Sequence, residues 1–246
     1  MTFTVTVLGS SGSYAGPDNP CTGYLLRSPE ANVLLDCGPG TLGPLQRAID
    51  LDGLTAIVLT HSHPDHWLEL PVLRNVFLYF FPRSGIPVFG TEQTGRLNAE
   101  VQVGAHSPFS WVDIDASSDI VIGDQRWRFA EADHPVETLG PRVDCGGRSF
   151  AFTADSGPGW DYAPLSIDGP IDVAFSDASH LSSREGQGIP HMSAREAGVR
   201  AAEGGVRRLV ITHLLPGSDP EAHRAEAEAA YGGPVEVALP GRTFEI

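Results

Sequence analysis

Apolar residues recur along this chain in short runs of strand type, separated by longer runs with helical periodicity. The pattern predicts strands at residues 3–8, 23–27, 32–36, 55–60, 86–89, 119–122, 126–133, 142–145, 149–154, 173–177, 208–212 and 235–239. It predicts helices at residues 41–50, 67–81, 93–101, 193–203 and 220–231. Strands interleaved with helices indicate an α/β fold built as a sandwich of layers. Each half of the chain offers a strand that ends in histidine, which fits a loose internal duplication.

Length and composition indicate one globular domain. A chain of 246 residues fits a single α/β domain, and no linker divides it, so we expect one domain over residues 1–246. Its 41% hydrophobic content and mean hydropathy of -0.08 are those of a soluble protein. The opening residues are predicted as a strand rather than a signal peptide, and the three cysteines form no CxxC motif. We therefore expect a cytoplasmic protein with no membrane segment.

The charge balance limits the partners that the chain can bind. It has 16 Lys+Arg against 31 Asp+Glu, and this net charge of -15 makes an extended basic groove hard to build. Proteins that bind long nucleic acids usually carry such a groove, so a long RNA or DNA partner is not expected. A small anionic substrate remains compatible with the sequence, because bound metal ions can reverse the potential inside one pocket.

The densest group of metal-ligand side chains follows the strand predicted at 55–60. It is the segment His61-Ser62-His63-Pro64-Asp65-His66. Imidazole nitrogen and carboxylate oxygen suit zinc and similar divalent ions. A turn at the end of a strand would direct His61 and His63 toward one ion and leave Asp65 and His66 for a second. A histidine-rich surface loop is the simpler explanation, but three of the chain's 9 histidines within six positions favour a metal site.

Further ligands must come from elsewhere, because six positions do not saturate two ions. His134, Asp155 and His213 each follow an apolar run directly, at the point where loops commonly build active sites. Taken singly, each is better explained as a hydrogen-bonded polar group at the end of a strand. Considered beside the 61–66 segment, all three become candidate ligands.

Together these motifs resemble the metallo-β-lactamase superfamily over essentially the whole chain. The matching segments are Leu-Leu-Asp36-Cys-Gly, the 61–66 motif, Thr-Ala-Asp155-Ser-Gly and Ile-Thr-His213. The resemblance implies a four-layer αββα sandwich with two divalent ions at the strand ends, Zn2+ in the first place, with Mn2+ and Fe2+ as alternatives. Its implied ligands are His61, His63 and His134 for one ion, Asp65, His66 and His213 for the other, and Asp155 as the bridge. Asp36 would orient these ligands by hydrogen bonds from behind.

A further segment resembles the ribonuclease Z and phosphodiesterase branch of that superfamily. His191-Met-Ser193 opens a predicted helix, like the His-x-Ser/Thr motif of the branch. Asp177-Ala-Ser179 stands where the branch carries an acidic partner for this histidine, although Asp177 is one methylene shorter than the usual Glu. The resemblance implies that a metal-bridging hydroxide attacks phosphorus, that Asp65 accepts the proton of the water and that His191 protonates the leaving alkoxide.

The spacing of the motifs bears on the substrate. Residues 135–154 between His134 and Asp155 are enough for one hairpin but not for the long tRNA-binding arm usual in ribonuclease Z. The chain therefore looks closer to compact bacterial phosphodiesterases, which implies a small phosphodiester substrate, such as a cyclic nucleotide, and a homodimer. Three alternatives stay open: a ribonuclease Z-type RNA endonuclease, an ester, lactone or thioester hydrolase on the same metals, and, least favoured, a metal-bound scaffold without activity.

Some histidines and aromatic residues are not assigned to the site. His106 is expected in an exposed loop, His223 on the surface of a helix, and His180 in a structural role. Core packing is the default for a dense aromatic cluster, although part of it could stack a base or line a dimer interface. This cluster comprises Trp67, Phe77, Tyr79, Phe80 and Phe81.

Overall fold

The computed structural model describes residues 2–102, 104 and 106–246. Met1, the first residue of the predicted domain, and positions 103 and 105 lie outside that description. The strands are β1 (Thr4–Gly9), β2 (Gly23–Arg27), β3 (Asn32–Leu35), β4 (Ala56–Val58), β5 (Ile86–Gly90), β6 (Phe109–Asp113), β7 (Asp119–Ile122), β8 (Gln125–Glu131), β9 (Leu139–Cys145), β10 (Arg148–Phe152), β11 (Val173–Asp177), β12 (Leu209–Thr212), β13 (Val235–Val237) and β14 (Thr243–Glu245). The α-helices are α1 (Leu42–Ala48), α2 (Pro64–Trp67), α3 (Leu70–Tyr79), α4 (Glu92–Val101), α5 (Ala194–Glu203) and α6 (Pro220–Tyr231).

The strands form two mixed sheets of seven strands each. The first has the order β14-β1-β2-β3-β4-β5-β6, and the second has the order β13-β12-β11-β10-β9-β8-β7. Each sheet is antiparallel at one end and parallel at the other: β3 to β6 run parallel, and so do β10 to β13. The two sheets thus share one architecture, as two copies of a duplicated unit would.

Alternation along the strands explains how both faces of each sheet come to be buried. In β3, Val33 and Leu35 lie in the core between the sheets, whereas Leu34 packs toward α1 and α3. In β12, Val210 lies in the same central core, and Ile211 packs toward α5 and α6. Successive side chains of a strand point to opposite faces, so apolar residues at every position require cover on both sides. The result is the four-layer αββα sandwich that the sequence predicts.

Aromatic side chains join the two sheets across the central core. Tyr24 of β2 meets Phe152 and Phe175 of the second sheet edge to face, with ring centroids 5.2 and 5.3 Å apart. Its buried hydroxyl forms a hydrogen bond of 2.6 Å with the hydroxyl of Thr212, at the end of β12. Because Thr212 directly precedes His213, this contact ties the first sheet to the strand end that carries a candidate ligand.

The helix predicted over residues 67–81 is wrong in its extent. Two helices, α2 and α3, are separated at Leu68 and Glu69, and Pro71 lies in the first turn of α3. A proline ring is excluded from a helix interior, so the second helix begins just before it. The N–H of Glu69 donates instead to the carbonyl of Cys37 at 2.9 Å, which fixes the break against the end of β3.

Two edge strands are absent from the sequence prediction. β6 pairs in parallel with β5, and β14 pairs with β1. Both are short and largely exposed, so they lack the continuous apolar run that marks the central strands. At 12 residues, α6 is the longest helix in the described part of the chain, and no helix there has the length and apolarity of a membrane span.

Candidate metal centre

The candidate residues lie at neighbouring strand ends on the same edge of the sandwich. Asp36 follows β3, His61 and His63 follow β4, and His134 follows β8. Asp155, Asp177 and His213 lie at or just beyond the ends of β10, β11 and β12, which are adjacent and parallel. The carboxyl ends of adjacent parallel strands meet at one edge, so residues far apart in sequence come together there.

One cluster of ligand atoms combines His61, His63, His134 and Asp155, all within 4.8 Å of one another. Nε2 of His134 lies 3.0 Å from Nδ1 of His63, and Nε2 of His61 lies 3.6 Å from Oδ2 of Asp155. The other ring nitrogen of His134, Nδ1, is 3.1 Å from the carbonyl of Pro190 and donates its proton there. This bond leaves a lone pair on Nε2, as metal ligation requires.

A second cluster combines Asp65, His66, His213 and again Asp155. Nε2 of His66 lies 3.1 Å from Oδ1 of Asp155 and 3.6 Å from Oδ2 of Asp65. Nε2 of His213 is 4.0 Å from the same Asp65 oxygen. Asp155 therefore turns one carboxylate oxygen toward each cluster, which is the geometry of a residue shared between two ions.

The donor set passes a direct chemical test for a metal. Within the described residues, four buried atoms of the two clusters have no hydrogen-bond partner. They are Nε2 of His61, Nε2 of His66, Nε2 of His213 and Oδ1 of Asp155. Unpartnered polar atoms in a protein interior are costly, and native proteins rarely keep several together. Converging lone pairs on nitrogen and carboxylate oxygen fit divalent ions such as Zn2+. The two clusters are therefore able to bind metal.

Asp36 lies behind both clusters and is fully buried. Its carboxylate accepts the backbone N–H of Thr60 at 2.8 Å and Nδ1–H of His66 at 2.7 Å. It also accepts the hydroxyl proton of Thr60, whose oxygen lies 3.0 Å from Nδ1 of His61 and accepts the proton of that ring. One carboxylate thus fixes the tautomers of two histidines, so that both present Nε2 to the site.

Burial and carboxylates act on the ring pKa values in opposite directions. Burial lowers the pKa of His61, His63 and His134, which favours the neutral, ligating form. Burial also acts against protonation of His66, but Asp155 and two further carboxylates outweigh it and raise its pKa well above the usual value. The surrounding imidazoles likewise overcome burial at Asp155 and hold its pKa well below the usual range. Three of the rings are thus favoured as neutral imidazoles, whereas His66 and Asp155 are favoured as a charged pair.

His191 and Asp177 lie directly beside the metal clusters. Nδ1 of His191 donates to Oδ2 of Asp177 at 2.7 Å, so the shorter acidic residue reaches its partner. The buried Asp177 also accepts the backbone N–H groups of Ser156 and Ser179. The His191 ring is stacked on His213, with centroids 5.2 Å apart. Burial lowers the pKa of His191, but Asp177 outweighs it and raises the pKa to about 9.

Of the histidines not assigned to the site, only His223 differs from its sequence prediction. His180 is buried, and its Nε2 lies 3.1 Å from the carbonyl of His191, so it supports the segment that carries the candidate acid, which is a structural role. His223 is buried rather than on the surface of its helix, and its Nδ1 bonds the carbonyl of Asp219 one turn earlier. His106 is exposed, as predicted. Neither the hydrophobic pattern nor any motif in the sequence predicts that His180 and His223 are buried.

The aromatic cluster divides between the core and the surface. Trp67 and Phe77 are buried, as predicted. Tyr79, Phe80 and Phe81 at the end of α3 are 70%, 75% and 44% exposed, so the prediction of core packing is wrong for them. They follow the last turn of a helix whose buried face ends at Phe77.

The chain is similar to a known family and to several known proteins. The family model described as a beta-lactamase superfamily domain matches residues 31–214. The Mycobacterium tuberculosis protein called Uncharacterized protein Rv1339 is 36% identical over 264 residues, covering 100% of this chain and 93% of the relative. The Probable metallo-hydrolase YhfI of Bacillus subtilis is 27% identical over 245 residues, covering 98% and 99%.

The chain is also similar to a ribonuclease and to a protein of known crystal structure. A Ribonuclease Z of Mycobacterium bovis is 28% identical over 267 residues, covering 95% of this chain and 94% of the relative. The crystal structure of the metallo-beta-lactamase fold protein YhfI superposes with a TM-score of 0.90 at 25% identity, and both chains are covered completely.

Proposed function

This chain belongs to the beta-lactamase superfamily of metallo-hydrolases, and we propose that it is a two-metal phosphodiesterase that acts on a small phosphodiester such as a cyclic nucleotide. The observation that carries the proposal is the position of the His191–Asp177 pair. The His191 ring is stacked on that of His213. Polar atoms of His191 and Asp177 also lie within 4.8 Å of those of Asp155, the residue common to both metal clusters. An acid placed there would be next to the bond that breaks in a phosphodiester bound at these two clusters.

We assign each of the two clusters to one metal ion. His61, His63 and His134 would hold one ion, Asp65, His66 and His213 the other, and Asp155 both. Two divalent ions, zinc in the first place, would activate water and neutralise charge on the phosphoryl oxygens. Asp36 would keep His61 and His66 in the tautomers that bind metal.

Proton transfers fall to two residues. Asp65 presents Oδ2 to the second cluster and would accept the proton of the attacking water. His191 is held by Asp177 through Nδ1, which leaves Nε2 to carry the proton for the leaving alkoxide. A positioned acid of this kind typically contributes about 10²–10⁴-fold in rate.

The shape and charge of the chain favour a small substrate. The segment between His134 and Asp155 is taken up by the short β9–β10 hairpin, and its turn is the pair Gly146 and Gly147. The net charge of -15 acts against prolonged contact with an RNA backbone. A ribonuclease Z-type endonuclease is the second candidate function, and the 28% identity with a Ribonuclease Z favours it. The predicted homodimer stays a prediction.

A turnover screen of the purified, zinc-loaded protein tests the function. We expect hydrolysis of bis-p-nitrophenyl phosphate and of a cyclic nucleotide, and little activity on a lactone or a pre-tRNA. The His191→Ala variant should keep both ions and lose about 10²-fold or more in kcat. Loss of zinc in that variant would contradict the role as acid, and cleavage of pre-tRNA alone would favour the second candidate.

A further inference from the structure

The loop between β1 and β2 passes over the second metal cluster, and its tip consists of Ser11, Gly12, Ser13 and Tyr14. The N–H of Gly12 donates to the carbonyl of Leu214 at 3.1 Å, so the tip is attached to the residue after His213. The hydroxyl of Ser11 closes the tip by donating to the carbonyl of Tyr14 at 2.8 Å.

Gly12 is in contact with the His213 ring, and no larger residue fits without movement. A Cβ atom built on Gly12 would lie 2.5 Å from the carbonyl oxygen of His213, 2.8 Å from its Cδ2 and 3.0 Å from its Nε2. These are shorter than van der Waals contacts, and Nε2 is one of the unpartnered ligand atoms. Because glycine has no side chain, the loop can pack directly against one face of the His213 imidazole.

Ser13 contacts a second candidate ligand of the same cluster, Asp65. Its backbone N–H donates to Oδ2 of Asp65 at 2.8 Å. Ser13 has φ of 63°, and the N–H of Tyr14 donates back to the carbonyl of Gly12 at 2.7 Å, which closes a three-residue turn around it. Turns of this kind are rare and strained for residues other than glycine, and strain of this kind concentrates at functional sites. The turn aims the N–H of Ser13 at the carboxylate.

We propose that Gly12 and Ser13 are positioning residues for the second metal ion. Gly12 sets the plane of the His213 ring, and the N–H of Ser13 holds Oδ2 of Asp65 in its ligating orientation by a charge-assisted hydrogen bond. Both residues act through a ligand of the metal ion. The inference rests on the two-metal site of the proposed function, but it concerns metal affinity and not the substrate.

A matched pair of glycine variants tests the contact with His213. In Gly12→Ala the new methyl group displaces the ring, whereas in Gly16→Ala, in the same loop, it would make only ordinary contacts of 3.8 Å. Stepwise competition of the metal-free proteins with a chromogenic chelator for Zn2+ measures each ion separately. We expect Gly12→Ala to bind the second ion about 10–100-fold more weakly, with the first ion unchanged. Gly16→Ala should match the parent protein.

A second pair tests the hydrogen bond and serves if Gly12→Ala does not fold. Ser13 is exposed, so Ser13→Pro costs little burial; it removes the N–H and also opens the turn, because proline is fixed near a φ of about −65°. Ser13→Gly is the matched control, since glycine adopts the φ of 63° without strain and keeps the N–H. Only Ser13→Pro should weaken the second ion. Parental affinity for both ions in Gly12→Ala and Ser13→Pro would overturn the inference. A parent protein that binds two ions but hydrolyses no phosphodiester would refute the proposed function alone, and one that binds a single ion would refute both.

Discussion

Replacing Asp36 by asparagine tests how a buried carboxylate controls metal affinity through its hydrogen bonds to the candidate ligands. The backbone N–H of Thr60 points at Oδ1 of Asp36 and is unable to change its role. The amide oxygen of the new side chain must therefore face Thr60, which turns the NH2 group toward Nδ1 of His66. That ring can satisfy a donor only by moving its own proton to Nε2. The tautomer so favoured has no lone pair for the metal.

The size of the effect follows from the contacts that ligation would then break. To bind metal in Asp36→Asn, His66 must return its proton to Nδ1, where two buried donors face each other. Leaving one of them unsatisfied costs about 1–3 kcal/mol, which is a loss of roughly 5–150-fold in affinity. We expect this loss at the ion bound by His66. The metal-free protein should keep its stability, because the asparagine still accepts the N–H of Thr60 and donates to Nδ1 of His66 in its other tautomer.

Zinc competition and thermal unfolding of the metal-free protein measure the two quantities separately. Asp172→Asn is a suitable control, since Asp172 also accepts a backbone N–H, from Ser149 at 2.9 Å, but lies at the opposite end of its strand from the metal clusters. The control should bind zinc like the parent. If Asp36→Asn bound both ions as tightly as the parent, the tautomer argument would be refuted.

Three further outcomes follow from the same contacts. Asp177→Asn should lower kcat by about 10²-fold or more in steady-state assays with both ions retained, because an amide lacks the charge by which Asp177 raises the pKa of His191 to about 9. Trp127→Ala should lower the free energy of unfolding in urea by about 3–5 kcal/mol, because the indole is fully buried between the sheets. Zinc at about 100 times its dissociation constant should stabilise the protein by about 2.7 kcal/mol per site, and a chelator should reverse the shift in Tm.

The fold could be read from the sequence where burial imposes a period. Strands such as β3, β10 and β12 contain uninterrupted runs of three apolar residues because both faces of their sheets are covered, and these runs mark them clearly. The edge strand β6 has one exposed face and neighbours only one strand, so its pattern is indistinct. The split between α2 and α3 depends on a tertiary hydrogen bond from Glu69 to Cys37, which no local pattern contains.

The candidate ligands could be predicted from the sequence for a different reason. The 61–66 motif places several candidate ligands in one turn. His134, Asp155 and His213 each follow a strand of the second sheet, and these strands end at the same edge of that sheet, which brings the three residues together. The roles of Gly12 and His180 depend on atoms that approach from distant segments. A glycine in a loop and a histidine after a strand look alike whether or not they support a ligand.

Backbone conformation shows how the fold shapes this site. In the described part of the chain, the residues other than glycine with positive φ are Ser13, Asp36, Ala154 and His213. Each is a proposed site residue, borders one, or contacts one. Such a conformation costs roughly 1–2 kcal/mol for an L-residue, and it persists only where surrounding packing imposes it. The buried strands that precede Asp36, Ala154 and His213 supply that packing. The sheets themselves therefore bend the strand ends toward one another, and this backbone conformation brings the candidate ligands together.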